Sequence, residues 1–137
     1  MKKLVLFGLF ILLILPVVLT ACGSDQMTAA LGEQFTLPAA KTAVITGQQL
    51  RIKFVEVTGD SRCPNGVECI QAGDAKCLML ISYFDSQSSL TFTQEGGNTV
   101  NTMDFNIYKI SFKLEPYPEA GKQIDQADYR MIMTVTK

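Results

Sequence analysis

The sequence predicts an all-β domain, a small β-sandwich or a partly open barrel of about seven antiparallel strands. Three observations predict it. In several stretches apolar residues recur at every second position, the period that lines one face of a strand. Beyond residue 22 no apolar stripe of period 3.6 is found, so no segment asks for a packed helix. Turn-forming residues punctuate the chain every 8–12 residues or so, roughly the spacing of short strands in sandwiches and barrels.

A chain of 137 residues leaves room for one domain, and residues 1–21 read as a leader outside it. Lys2 and Lys3 form a short positive region, followed by an apolar run from Leu4 to Leu19 broken only by Gly8 and Pro16. The run is shorter than the roughly 20 apolar residues of a spanning helix, which favours a cleaved secretory signal peptide. A spanning anchor is the alternative, because a thinned bilayer accommodates a short helix. Leu19-Thr20-Ala21-Cys22-Gly23 breaks the tie.

That stretch resembles the lipobox of bacterial lipoproteins, with a Leu three residues before the Cys and a small residue just before it. The resemblance implies a diacylglyceryl group on the Cys22 thiol and cleavage that makes Cys22 the first residue of the mature chain. Two acyl chains, at about 0.8 kcal/mol per buried methylene, give stable anchoring where one does not. The expected location is therefore extracytoplasmic, with the membrane as partner through Cys22. Gly23 rather than Asp after the Cys points to the outer membrane where the organism has one, and otherwise to the cell membrane.

The mature chain, Cys22–Lys137, has 116 residues. Twelve Lys and Arg fall to ten when Lys2 and Lys3 leave, against thirteen Asp and Glu, a net charge of −3. Nothing in that balance asks for nucleic acid or an anionic surface. The positive mean hydropathy belongs largely to the leader. Residues 22–32, small and polar, read as a lipidated flexible tether, and residues 33–137 as the β-domain.

Within the domain, Leu50, Ile52 and Phe54 alternate with Arg51, Lys53 and Val55, a half-buried strand whose alternation slips at Glu56-Val57, where a bulge or strand end is expected. Cys77 to Phe84 is apolar on both parities, as in a strand covered on both faces. Leu90 and Phe92 alternate with threonines, and Gly96-Gly97-Asn98 marks a turn. Tyr108, Ile110, Phe112 and Leu114 give the clearest alternation, stopped by Pro116-Tyr117-Pro118. Glu119 to Ala127 has room for one helical turn, and the last strand runs from about Tyr129 to Thr136.

One segment stands apart: Gly59-Asp60-Ser61-Arg62-Cys63-Pro64-Asn65-Gly66-Val67-Glu68-Cys69, continuing through Gly73-Asp74-Ala75. Two cysteines bracket a Pro-Asn-Gly turn in a chain read as exported, so a Cys63–Cys69 disulfide is expected. Loop-closure entropy over so short a ring gives about 2–2.5 kcal/mol. Cys69–Cys77 is the rival pairing. Cys77 shares a strand face with Met79, Ile81 and Tyr83, and reads as a small buried hydrophobe rather than a reactive thiol. Lys76, the one cation beside it, points to the other face.

Cys63, Cys69 and Cys77 with Asp74 make a conceivable metal set, but the spacings match no zinc knuckle and the chain has no His. Met131 and Met133, two apart on a strand, are explained by core packing before any copper site. Asp60 and Arg62 are the candidate binding loop. Either they pair locally, with Glu68 and Asp74 nearby, and pin the loop, or Arg62 offers its five-donor fork to an anionic partner.

The Asp-Ser-Arg-Cys-Pro run, a later Cys and Gly73-x-Ala75 are similar to a group of bacterial secreted proteins and lipoproteins of no established activity. Leu114, Pro116, Pro118 and the Tyr129-led last strand extend the resemblance over about two-thirds of the mature chain. This chain departs at Gln71, where many of that group have an aromatic, usually Trp, and at Cys77, where they have an aliphatic residue. The resemblance implies a fold and little more.

With no His, nucleophile elbow, phosphate loop or dinucleotide fingerprint, the chain is not expected to be an enzyme or to hold a cofactor. Two functions stand. The first is a membrane-anchored, non-catalytic β-domain that binds an envelope or extracellular molecule, such as a protein, or serves a structural role there. The second is a thiol-redox or metal-handling protein using Cys63, Cys69 and Cys77 together.

Overall fold

A computed structural model of the chain describes residues 24–137; the leader and Cys22 lie outside them. Nine strands follow one another: β1 (Gln26–Ala29), β2 (Gln34–Pro38), β3 (Thr42–Ile45), β4 (Leu50–Asp60) and β5 (Asp74–Tyr83), then β6 (Ser86–Glu95), β7 (Asn101–Phe105), β8 (Tyr108–Glu115) and β9 (Arg130–Thr136). They form a β-sandwich of two sheets, ordered β1-β3-β4-β5-β6 and β2-β9-β8-β7. The sandwich, not the barrel, is the architecture. All pairings are antiparallel except β1 with β3.

The alternating residues do what their period requires. Leu50, Ile52 and Phe54 face Tyr108, Ile110, Phe112 and Leu114 across the core, with Met131, Met133 and Val135 beside them, all buried. Each such side chain taken from water contributes about 1.5–3 kcal/mol before entropy is charged against it. Met131 and Met133 are thus core residues.

The slip at Glu56-Val57 is a bulge, and a second follows it. Phe54 pairs with Met79 and Glu56 with Leu78, leaving Val55 extra; Val57 pairs with Cys77 and Gly59 with Lys76, leaving Thr58 extra. Each bulge reverses which parity faces inward. After the first, Val57 is buried; after the second, Asp60 stands opposite the buried Ala75. A carboxylate is thereby delivered to the inner face.

Several expectations need correction. The tether is not flexible throughout: Gln26–Ala29 is an edge strand, Ala29 is buried, and Thr42 N donates to the Asp25 carbonyl at 2.9 Å. Met27 and Ala29 on one parity supply enough apolar surface to order it. β7 also escaped the pattern, having only Met103 and Phe105 turned to the core, so the described residues hold nine strands rather than about seven. On β5 a single face is covered, for Leu78 and Leu80 stay half-exposed. The helical turn is a short 3-10 segment, Gln126–Asp128.

Successive strands run up and down, so the connections sort into two ends. At one end lie turns 46–49, 84–85 and 106–107, drawn together by Tyr108 Oη donating to Gln48 Oε1 at 2.8 Å and by the edge-to-face Tyr83–Tyr108 pair. At the other lie the long connections 61–73 and 116–129, joined through Arg62 and Leu114. There the ends of β4 and β5 with loop 61–73 form an arm, flanked by β6, which stays paired with β5 as far as Asp74–Glu95.

Candidate functional site

The arm carries every residue singled out in the Asp60–Ala75 segment. At its tip Cys63 and Cys69 are bonded, S–S 2.10 Å and Cα–Cα 6.0 Å, and the Cys69–Cys77 pairing is not formed. Backbone bonds close the loop's neck: Ser61 N to Asp74 O at 2.7 Å and Cys63 N to Ala72 O at 2.8 Å. Gly73 makes this approach possible. Its φ of +68° is in the left-handed region, and a Cβ there would lie 1.8 Å from the Ser61 carbonyl oxygen.

Arg62 does not offer its fork outward. It is 3 % exposed, and four of its N–H directions are spent inside the protein. Nε donates to Asp60 Oδ1 at 2.8 Å and Nη2 to Asp60 Oδ2 at 2.6 Å, a bidentate pair. Nη1 donates to Leu114 O and Nη2 also to Pro116 O, both at 3.0 Å. The guanidinium stacks 5.2 Å above the Tyr117 ring, and Tyr117 Oη donates to Cys63 O at 2.9 Å. The local-pairing alternative is the observed one, and the anion-presenting alternative is set aside because the donors are already occupied. One ion pair therefore ties the neck of the loop to the end of β8.

Asp60 also accepts from Tyr129 Oη at 3.0 Å. Burial pushes the Asp60 carboxyl up, but the bonds and charge of Arg62, helped by Tyr129, outweigh it and hold it below the usual range. Burial, with Asp60 as acceptor, pushes the Tyr129 phenol up to about 12. Gln126 completes the clasp. It bonds both ways with the bulged Val57, accepting from N at 3.0 Å and donating to O at 2.6 Å, so that a side chain replaces a missing strand. Asn65 exchanges backbone bonds with Pro118 and Ala120, linking the bridged loop to 116–129.

Between these two connections runs a groove of about 640 Å³, open to solvent, with Thr58, Asp60, Pro64, Pro118, Gln123 and Tyr129 on its walls. Glu119 and Lys122 form an exposed ion pair at its rim. Glu68 lies on the exposed loop, and Asp74 accepts from Ser61 Oγ at 3.2 Å rather than meeting Arg62.

Cys77 is completely buried on β5, facing the core with Met79 and Ile81, and the structure does not bring it to the bridged pair. Burial pushes its thiol up to about 12, the opposite of an activated thiolate. Among the described residues no group of three or more His, Cys, Asp or Glu is placed to hold a metal ion. Cys22 lies outside the described residues. The sequence alone missed Tyr117 and Gln126: Tyr117 was visible only as the residue between two prolines, and Gln126 carried no signal. No family model, curated protein or solved structure matches the chain.

Proposed function

We propose that this chain is a lipid-anchored extracytoplasmic protein whose β-sandwich is non-catalytic and binds another envelope or extracellular molecule, a protein in the first instance, at its long-loop end. The observation that carries the reading is the sorting of the connections. Turns of two to four residues close one end, while 61–73 and 116–129 meet at the other around a solvent-open groove, held by a disulfide and a buried ion pair. Rigidly braced loops presenting an open groove suit recognition, because little ordering entropy remains to be lost on binding. The absence of His from the whole sequence and the commitment of Asp60 to Arg62 support a non-catalytic role. The anchor rests on the Leu19–Cys22 stretch and on a disulfide suited to an exported chain.

The intact mass of the protein purified from membranes, with thiol labelling under native and denaturing conditions, tests this. The expected species starts at Cys22, carries acyl chains, contains one disulfide and one thiol that labels only on denaturation, and holds no metal. A metal adduct lost on denaturation, or two or three labelled thiols in the native protein, would instead establish the thiol or metal reading. An unprocessed N-terminus would overturn the anchor.

A further inference from the structure

We infer that the bridged tip of the arm lies against the lipid bilayer and is a second membrane contact beside the anchor; this rests on the lipid-anchor reading above. The geometry is one of lengths. β1 begins at Gln26, level with Thr42 on β3 and, through it, with Lys53 on β4. Because β1 is parallel to β3 and β3 antiparallel to β4, stepping back from Gln26 towards Cys22 leads in the direction in which β4 advances to Asp60. Asp25 is held on that course by Thr42 N at its carbonyl and by Lys41 Nζ at its carboxylate, 2.8 Å away.

From Gln26 back to Cys22 are four residue steps, which span at most about 14 Å. From Lys53 forward to Asp60 are seven, about 20 Å of bulged strand, with the loop beyond. The arm therefore reaches farther than the tether. A bilayer holding the lipid of Cys22 meets the long-loop end of the sandwich, where the bridged tip lies beyond Asp60 and Asp74.

The composition of the tip fits that place. Between Cys63 and Gly73 the one charged residue is Glu68, whereas Val67 and Ile70 are exposed, Ile70 fully so. A braced loop bearing two aliphatic side chains and a single acid suits the headgroup–acyl boundary of a zwitterionic bilayer rather than capture by anionic lipid.

The chain contains no Trp, so one introduced indole reports unambiguously. Lipidated protein carrying Ile70→Trp, and separately Phe84→Trp at the exposed turn of the opposite end, would be reconstituted into phosphatidylcholine vesicles with and without brominated acyl chains. Flotation is measured on the same samples. A tryptophan at 70 seated about 5–10 Å into the boundary should shift its emission to shorter wavelength and lose about half of it to the bromolipid, while one at 84 stays unquenched. Protein that floats with the vesicles but shows no quenching at 70, or equal quenching at both sites, overturns the inference and leaves the anchor standing. Protein that does not float overturns the anchor and the inference with it.

Discussion

Replacing Arg62 by Met isolates what holds the arm together. The substitution keeps most of the side chain's length and removes every donor. It leaves the Asp60 carboxylate, whose side chain is 11 % exposed, without its cation, and the carbonyls of Leu114 and Pro116 without a partner. Breaking one side of a buried ion pair costs about 3–5 kcal/mol, chiefly because the surviving charge stays desolvated. For a domain of this size that lowers the thermal midpoint by roughly 10–20 °C. It is also a large share of the 5–15 kcal/mol or so that keeps an ordinary domain folded.

Urea denaturation at several pH values is the assay, because it separates the charge from the packing. A carboxyl depressed by its partner contributes stability that is present above about pH 3.9, its unfolded value, and lost as pH falls through the folded one. Asp60 is such a group in the native protein. In Arg62→Met the carboxyl keeps its burial and loses its cation, so it is raised instead. The gap between native protein and variant should then be widest near neutrality and narrow below pH 4. Adding Asp60→Asn to the variant should recover at least about 1 kcal/mol at neutral pH, a non-additivity expected of direct partners. A loss below about 1 kcal/mol, unchanged by pH, would mean an ordinary surface pair and refute the reasoning.

Three further outcomes follow from the same region. Reducing Cys63–Cys69, or replacing both residues with Ser, should cost about 2–2.5 kcal/mol in urea and open 64–72 to proteolysis, leaving the sandwich folded. Gly73→Ala should cost about 3 kcal/mol or more, since its Cβ would overlap the Ser61 carbonyl, whereas Gly66→Ala, at similar φ with open space around it, should cost only about 1 kcal/mol, both read as urea midpoints. Cys77 should resist a thiol reagent at neutral pH in the folded protein and react once urea unfolds it; fast native labelling would contradict both its burial and its raised pKa.

The sheet core was legible because period-two alternation is a local signal: residues 108–114, 50–54 and 129–135 each announce the face they bury. The slip at Glu56-Val57 likewise announced a bulge. β1 and β7 were not legible, being short edge strands with two core-facing residues apiece, ordered by neighbours distant in sequence. The direction of Arg62 was open for another reason. Its partners Leu114, Pro116 and Tyr117 lie more than fifty positions away and only the completed fold brings them near. Sequence identified the pair Asp60–Arg62 but not whether it faced in or out, and that depends on the second bulge, whose extra residue, Thr58, leaves no mark in the pattern.

The residues that make the segment distinctive thus turn out to serve one internal clasp. Asp60 and Arg62 form its ion pair, Leu114 and Pro116 lend it carbonyls, and Tyr129 caps the carboxylate. Gly73 lets the neck close, and Ala75 fits the core opposite Asp60. None of these side chains is free to meet a ligand as a charged or reactive group. On the binding reading proposed above, specificity then falls to the groove rim that the clasp holds out, from Pro118 to Gln123. Two proteins sharing this clasp would share an architecture without sharing a partner. Exchanging residues 118–123 between them while keeping the clasp should move the binding preference and leave the urea midpoint within about 0.5 kcal/mol of the parent in stability terms. A midpoint that collapses on exchange would show instead that the rim, not the clasp, carries the fold of this end.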